Sequence, residues 1–354
     1  MRIEMVSKLL LLIFTLLVVS HSATALEVPR QLSAGRSDFT YHALGDACYS
    51  MDVYAGGLPC NPAFVGRPQK GEFNSHIFFG NDVTYFDDIK SILNNEADVA
   101  TVHRVANNNR GAEFEADLEA GYIKEKFAMS VSPSRLNYYS LIRDPVLPEI
   151  SLYASQEQVL RLQFASEINK DLDVGVQVRG VQRRFILSEF FIPEAMVEGG
   201  SNEVTRINEQ KIVYLEPGMV WAPEGEYLSP QFSATVTQLG YVDRKYDGLS
   251  TSPEGQIGGS IRPAIDTGSL ELGTQVTLSP QYQRWTELVR LAGSYKLGIA
   301  RYSGSFNENQ FDLAVDLKFK GAHGGVVMDY RKSDEFASGL ADVRTFYFEL
   351  GAEI

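Results

Sequence analysis

The chain has 354 residues, a formal charge of −13 and 22% charged residues. Acidity of that size argues against a nucleic-acid partner, and after the first residues no apolar run approaches the roughly 20 residues that a spanning helix needs. Any insertion into a membrane must therefore use strands.

The N-terminus has the three parts of a secretory signal: basic Arg2 and Lys8, an apolar run from Leu9 to Val19, and the small-residue site Ala23-Thr24-Ala25. Its apolar run is too short for a spanning helix, so residues 1–25 are expected to be a signal peptide removed on export. Removal of Arg2, Lys8 and Glu4 leaves a formal charge of −14. The two cysteines, Cys48 and Cys60, lie close together near the mature N-terminus. In an oxidising compartment they are expected to pair, with two free thiols as the alternative.

Residues 26–110 lack sustained alternation and are expected to form a plug-like region. Gly, Pro and Asn are dense between Gly56 and Gly71. Asn81-Asp82 can cap a helix reaching about Asn94, with Val83, Phe86, Ile89, Ile92 and Leu93 on one face, and a second short helix can run through Val99, Val102 and Val105.

From about Gly111 the pattern changes, and 111–354 is expected to be an antiparallel transmembrane β-barrel. In Gln310–Lys320, Phe311, Leu313, Val315, Leu317 and Phe319 share one face while Asp312, Asp316 and Lys318 share the other, which only a strand achieves. The end of the chain repeats this with Phe346, Phe348, Leu350, Ala352 and Ile354. Further candidate strands are 125–132, 135–142, 148–154, 157–166, 173–182, 211–221, 226–239, 256–265, 269–279, 285–296, 298–306 and 323–331. The segment Ala112–Tyr122 is ambiguous, because its apolar residues also recur at helical spacing; its neighbour Phe127-Met129-Val131 favours a hairpin. Turn clusters separate the segments at hairpin spacing. About fourteen strands are expected, with twelve and sixteen open, since bacterial single-chain barrels prefer even numbers.

A water-soluble β-sandwich shows the same alternation with its apolar face inward. The long series of hairpins, with 17 Tyr and two Trp available for interfacial girdles, favours the face toward outer-membrane lipid. In that case Glu113, Glu115, Asp117, Glu119, Glu349 and Glu353 point into the lumen, and the first and last strands of this set become neighbours at closure. The carboxylates are then either solvated by a water-filled lumen or paired with Arg161, Arg179, Arg290, Lys318, Arg30, Arg36 or Arg67.

The stretch Ala43-Leu44-Gly45-Asp46-Ala47, followed by Asn61-Pro62-Ala63, resembles the N-terminal region of the FadL-type long-chain fatty acid transporter superfamily and its PorV-type relatives. The resemblance implies a small plug carrying the motif Asn61, Pro62 and Ala63 ahead of a fourteen-stranded barrel, and passive uptake of hydrophobic small molecules. The PorV-type relatives imply a second reading, a non-transporting barrel that docks a protein partner. A soluble exported β-protein is the third. Cys48, Cys60 and the terminal Ile354 depart from the usual pattern of the family.

Mature histidines are His42, His76, His103 and His323, and none sits in a Ser/His/acid or His-Glu-x-x-His arrangement. No catalytic residue, metal or cofactor is therefore assigned. The densest apolar stretch outside the expected strands is Val181–Asn208, with Phe185, Ile186, Leu187, Phe190, Phe191 and Ile192. It is expected to be a loop over the mouth in which Phe185, Phe190, Phe191 and Ile192 either receive an apolar ligand or cap the barrel.

Overall fold

The computed structural model describes residues 38–53, 57–67, 72–81, 112–143, 149–191, 206–225, 227–246, 249, 251–279, 285–331 and 343–353. The helix candidates at 81–94 and 99–105, apart from Asn81, lie outside the described residues, as do Arg30, Arg36, Ile192 and the signal segment.

The chain opens with a short helix, α1 (Phe39–Leu44), and two 3-10 turns, Gly45–Tyr49 and Pro62–Gly66. Strands follow: β1 (Glu72–Asn81), β2 (Ala112–Lys124), β3 (Phe127–Arg143), β4 (Glu149–Asn169), β5 (Leu172–Phe191), β6 (Asn208–Trp221), β7 (Gln231–Thr237) and β8 (Gly240–Val242). Then come β9 (Glu254–Ile261), β10 (Ser269–Leu278), helix α2 (Trp285–Leu288), β11 (Val289–Leu297), β12 (Ala300–Phe306), β13 (Gln310–Phe319), β14 (Ala322–Arg331) and β15 (Val343–Glu353).

Each strand pairs antiparallel with its neighbours, and the β1–β15 and β5–β6 ladders complete a closed ring. β7 pairs β6 at Gly218–Trp221 and β8 pairs it at Ile212–Tyr214, so the two share one place in the wall. The ring is a fourteen-stranded antiparallel barrel. Closure pairs the first strand with the last, which is what a strand-built protein needs in lipid.

The apolar face of the wall points outward. Along β6, Val213, Leu215, Met219 and Trp221 are exposed while Tyr214, Glu216, Gly218 and Val220 are buried inside. β13 repeats the arrangement with Phe311, Leu313, Val315 and Leu317 outside and Asp312, Ala314 and Asp316 inside. On β5 the outward positions change from Val174, Val176 and Val178 to Gln182 and Arg184, and on β6 they change to Lys211 and Glu209. The apolar band thus ends near Val213. From Val213 to Trp221, at about 3.3 Å per residue and a tilt of roughly 40°, it stands ~20 Å tall, near the band of about 25 Å that such barrels turn to lipid. A soluble barrel would invert these faces, so the fold is the transmembrane type.

Two-residue turns close one end of the barrel: Glu125-Lys126, Lys170-Asp171, Gly298-Ile299 and Lys320-Gly321. Gly298 and Gly321 hold φ of 60° and 82°, the left-handed region that hairpin turns of this length require. The connections 222–230 and 262–268 are at this end too, and the strands β3, β4 and β5 run on to the other end. There they rise well past the apolar band, whereas β9 to β14 are short, so the outer rim is tall on one side and low on the other.

Several expectations are corrected. β1 falls inside the segment 26–110 and takes its place between β2 and β15, so β2 and the last strand are not neighbours at closure. The candidates 125–132 and 135–142 are one strand, β3, interrupted by a bulge between Ser132 and Arg135 that disturbs the alternation. Likewise 148–154 and 157–166 are both β4. Trp285–Leu288 is helical, and its strand begins only at Val289. The expected loop Val181–Asn208 is strand as far as Phe191.

Candidate functional site: the filled bore and its outer mouth

The bore holds the N-terminal segment. Asp38 caps α1, its Oδ1 accepting from the Tyr41 N–H at 2.8 Å, which supplies a partner for a donor the short helix leaves open. Cys48 and Cys60 are bonded, as expected, and their disulfide joins the first 3-10 turn to the second. Asn61 caps that second turn: its Oδ1 accepts from the Ala63 N–H at 3.0 Å while Nδ2 donates to the carbonyls of Tyr49 at 3.2 Å and Met219 at 3.3 Å. Pro62 occupies the first turn position, where a missing N–H costs nothing.

The wall is shaped for this segment by inward-facing glycines. A Cβ on Gly175 would come within 2.5 Å of the Pro62 backbone, and one on Gly218 would collide with the Asn61 amide. Ala63 and Phe64 pack against Val220 nearby. The motif Asn61-Pro62-Ala63 is therefore the point where the plug is fastened to β5 and β6 by close backbone approach.

The lumen carboxylates are buried and paired with basic side chains in most cases, not solvated as the water-filled reading would have them. Glu115, Asp117, Glu119 and Glu349 are at most 2% exposed. Arg135 binds Asp117 at 2.7 Å, Arg179 binds Glu216 at 2.8 Å, Arg183 binds Glu157 at 2.5 Å and Arg290 binds Asp312 at 2.7 Å. Arg161 binds Glu119 and also Asp38 of the plug, at 3.5 Å. His42 of α1 meets Glu115 at 2.9 Å, its ring lying 4.0 Å from that of Tyr347, and His323 meets Glu349 at 2.8 Å. Buried charges persist only when partnered, and here wall and plug partner one another. Of the bases named from sequence, Arg161, Arg179, Arg290 and Arg67 stand in such pairs, and Lys318 is exposed.

A cavity of about 790 Å³ opens at the short-turn end, between Arg67, Gln231, Arg262 and the turns at Lys170 and Glu224. Asp52 holds both Arg67, at 2.7 Å, and Arg262, at 3.1 Å. Partial burial pulls the Arg262 guanidinium down, but Glu271 and Asp52 push it up by more, so it stays charged.

At the opposite, outer end the lumen face becomes aromatic. Phe185 is 2% exposed and faces inward, with the Tyr246 ring 4.8 Å away edge-on and the Tyr153 ring at 6.4 Å. Tyr139 and Leu249 complete the buried cluster, and Leu187 packs beside it. Of the four residues read as a ligand site, Phe185 is in this cluster. Phe190 is buried but on the outward parity, together with Tyr138 and Leu152. The backbone of Phe191 ends β5.

Sequence reasoning missed Arg183 and Glu157, which alternation along β4 and β5 would have turned inward, and Arg135, which the bulge in β3 turns inward; it also missed Tyr139, Tyr153 and Tyr246. For Tyr139 and Tyr153 the signal was hidden because apolar residues occupy both faces of these strands above the band. Among the described residues, no group of three or more His, Cys, Asp or Glu could hold a metal ion.

No protein-family model matches the chain, and no curated protein matches its sequence. Solved structures similar in shape include a TodX deltaS2S3 mutant monoaromatic hydrocarbon channel, at TM-score 0.47 and 9% identity over 88% of this chain and 96% of that one. Another is the CymD monoaromatic hydrocarbon channel, at TM-score 0.47 and 9% identity over 94% and 98%. A third is the Pseudomonas putida toluene transporter TodX, at TM-score 0.47 and 8% identity over 94% and 98%. At that identity and TM-score none of them assigns a residue or a ligand here.

Proposed function

We propose that this chain is an outer-membrane barrel that binds hydrophobic small molecules, long-chain fatty acids among them, at its outer mouth and lets them pass without covalent chemistry. The observation that carries the reading is the aromatic cluster of Tyr139, Tyr153, Phe185, Tyr246 and Leu249, placed on the lumen side above the lipid band. Aromatic side chains on this face supply the kind of apolar lining that a hydrophobic ligand needs. The expected export over residues 1–25 and the outward apolar band support an outer-membrane location.

A second reading, a barrel that docks a protein partner and transports nothing, is favoured by the buried ion pairs beneath the cluster. An apolar ligand would have to cross Arg183–Glu157 and Arg135–Asp117 to descend. Titration of the detergent-solubilised protein with the apolar fluorophore N-phenylnaphthylamine tests the first reading: saturable enhancement lost in Phe185→Ser supports it. Absence of saturable binding to the folded wild type rejects it and leaves docking.

A further inference from the structure

The two sides of the bore differ in chemistry. On the side formed by β2 to β6 the wall carries buried ion pairs, whereas β7, β9 and β10 turn inward a file of uncharged polar residues bounded by two buried carboxylates, Glu254 opposite Thr237 and Glu271 bonded to Gln231 and Ser260. From the outer end downward the file runs Thr237, then Thr235 beside Gln256 and Thr277, then Ser233 beside Gln275, then Gln231 beside Ser260. All are at most 5% exposed, and Gln231 lines the cavity at the short-turn end. The file therefore runs from the low rim of the barrel down to an open vestibule.

Many of its polar atoms have no hydrogen-bond partner among the described residues: Ser233 Oγ, Thr235 Oγ1, Gln256 Nε2, and both amide atoms of Gln275. Gln238, at the break between β7 and β8, also has both amide atoms unpartnered, at φ 58° in a region that side chains other than glycine avoid. Buried polar atoms left unpaired are costly, so a wall lined with them is built to meet a polar occupant.

What stands against the file is one turn of the plug. Thr277 Oγ1 lies 3.0 Å from Asp46 Oδ2 and 2.7 Å from Gln256 Oε1, Ser50 Oγ shares its proton between the carbonyls of Ala47 at 3.0 Å and Thr274 at 3.3 Å, and Gln231 Nε2 donates to the Ser50 carbonyl at 2.7 Å. Ser50 and Met51 fill the spaces left by Gly258 and Gly273, where a Cβ would lie 2.9 Å and 2.6 Å from them. Cys48 ties this turn to Cys60, next to the fastened Asn61. The turn is thus tethered at its base, held to the file by single hydrogen bonds, and packed through Ala47, Tyr49 and Met51 into a buried apolar cluster with α1.

We propose that the β7–β9–β10 face is a hydrophilic passage for water and small uncharged hydroxylic solutes, with the turn Asp46–Met51 as its stopper. Between Glu254 and Glu271 the Ser, Thr and Gln side chains offer such solutes both donors and acceptors, and the two carboxylates disfavour anions. This route is separate from the apolar cluster at the mouth and stands or falls independently of it.

The test is osmotic swelling in glycerol of phosphatidylcholine vesicles holding the full mature protein. Thr277→Val removes the wall's side of the stopper bond, and Asp46→Ala removes it together with the acceptor of the Tyr41 hydroxyl inside the plug; each should speed swelling at least about tenfold, the population shift that loss of one hydrogen bond to a charged group allows. In the Asp46→Ala background, Thr235→Cys treated with a thiol reagent should return to the wild-type rate, whereas Ser303→Cys on β12 should be unaffected. Wild-type rates in both stopper variants, with folding confirmed by heat-modifiable migration, would overturn the proposal. So would a block at Ser303→Cys in place of Thr235→Cys.

Discussion

Asn61 and Gly218 meet with no room for one further carbon between them. The Asn61 amide caps its own turn and donates to the carbonyl of Met219, and a Cβ on Gly218 would strike its oxygen. The plug is thereby held by backbone approach as well as by charge. Gly218→Ala should weaken the fastening by roughly 1–3 kcal/mol, the usual range for overpacking, while leaving the β5–β6 ladder closed. Limited proteolysis checks this: faster cleavage within 38–67 with an intact barrel is expected, and unchanged protection would show that the wall yields instead.

The Cys48–Cys60 bond closes a loop of sequence separation 12. On the chain-entropy model its loss removes roughly 3 kcal/mol, and that loss falls on the plug, because neither cysteine lies in a wall strand. Replacing both cysteines by Ala should therefore loosen the plug and leave the heat-modifiable migration of the barrel as it was. Mass spectrometry of unreduced protein should show no alkylatable thiol in the wild type.

Outward positions on one strand should differ sharply with height. Val176 lies within the apolar band of β5, and Gln182 lies above it on the same face. Val176→Arg should cost roughly 2–4 kcal/mol and Gln182→Arg about 0–1, following the depth dependence of charge on a lipid face. Folding yields in lipid vesicles measure the difference, and equal yields would contradict the position of the band.

Arg135 and Asp117 are both fully buried and bonded at 2.7 Å. Removing one partner leaves a buried charge, so Asp117→Leu alone should destabilise by roughly 3–5 kcal/mol, whereas Asp117→Leu with Arg135→Met should cost much less than the two changes added. Urea unfolding of the four proteins completes the cycle. Additive costs would mean that the pair is hydrated after all.

Much of this architecture was readable because the apolar and polar residues of Gln310–Lys320 separate cleanly on two faces. In two segments with apolar residues on both faces the reading failed. Glu72–Asn81 has Phe73 and Ile77 on one parity and Phe78 on the other, so β1 went unseen. Phe185, Ile186 and Leu187 run consecutively, so the outer half of β5 looked like a loop. The inward carboxylates were legible from parity alone and Arg161 was named among their candidate partners, but Arg135 was not, because it follows a bulge that shifts its register. Asn61-Pro62-Ala63 marked the plug, yet its seat is made by Gly175 and Gly218, about which a local motif is silent.

Phe185 offers the sharpest test of the mouth. Its ring lies among Tyr153, Tyr246 and Leu249 on the lumen side, whereas Phe190, five residues on, is buried on the outward parity. A ligand descending from the mouth meets the first and not the second. A buried Phe contributes roughly 1.5–3 kcal/mol through its apolar area, so Phe185→Ser should weaken binding of an apolar probe by about tenfold or more, and Phe185→Leu should restore much of it. Phe190→Ser should lower stability and leave the binding constant as it was. Uptake of a fluorescent fatty acid by cells with matched surface levels should follow the same order. If Phe185→Ser binds and takes up ligand like the wild type, the aromatic cluster is a cap on the barrel and the docking reading takes precedence.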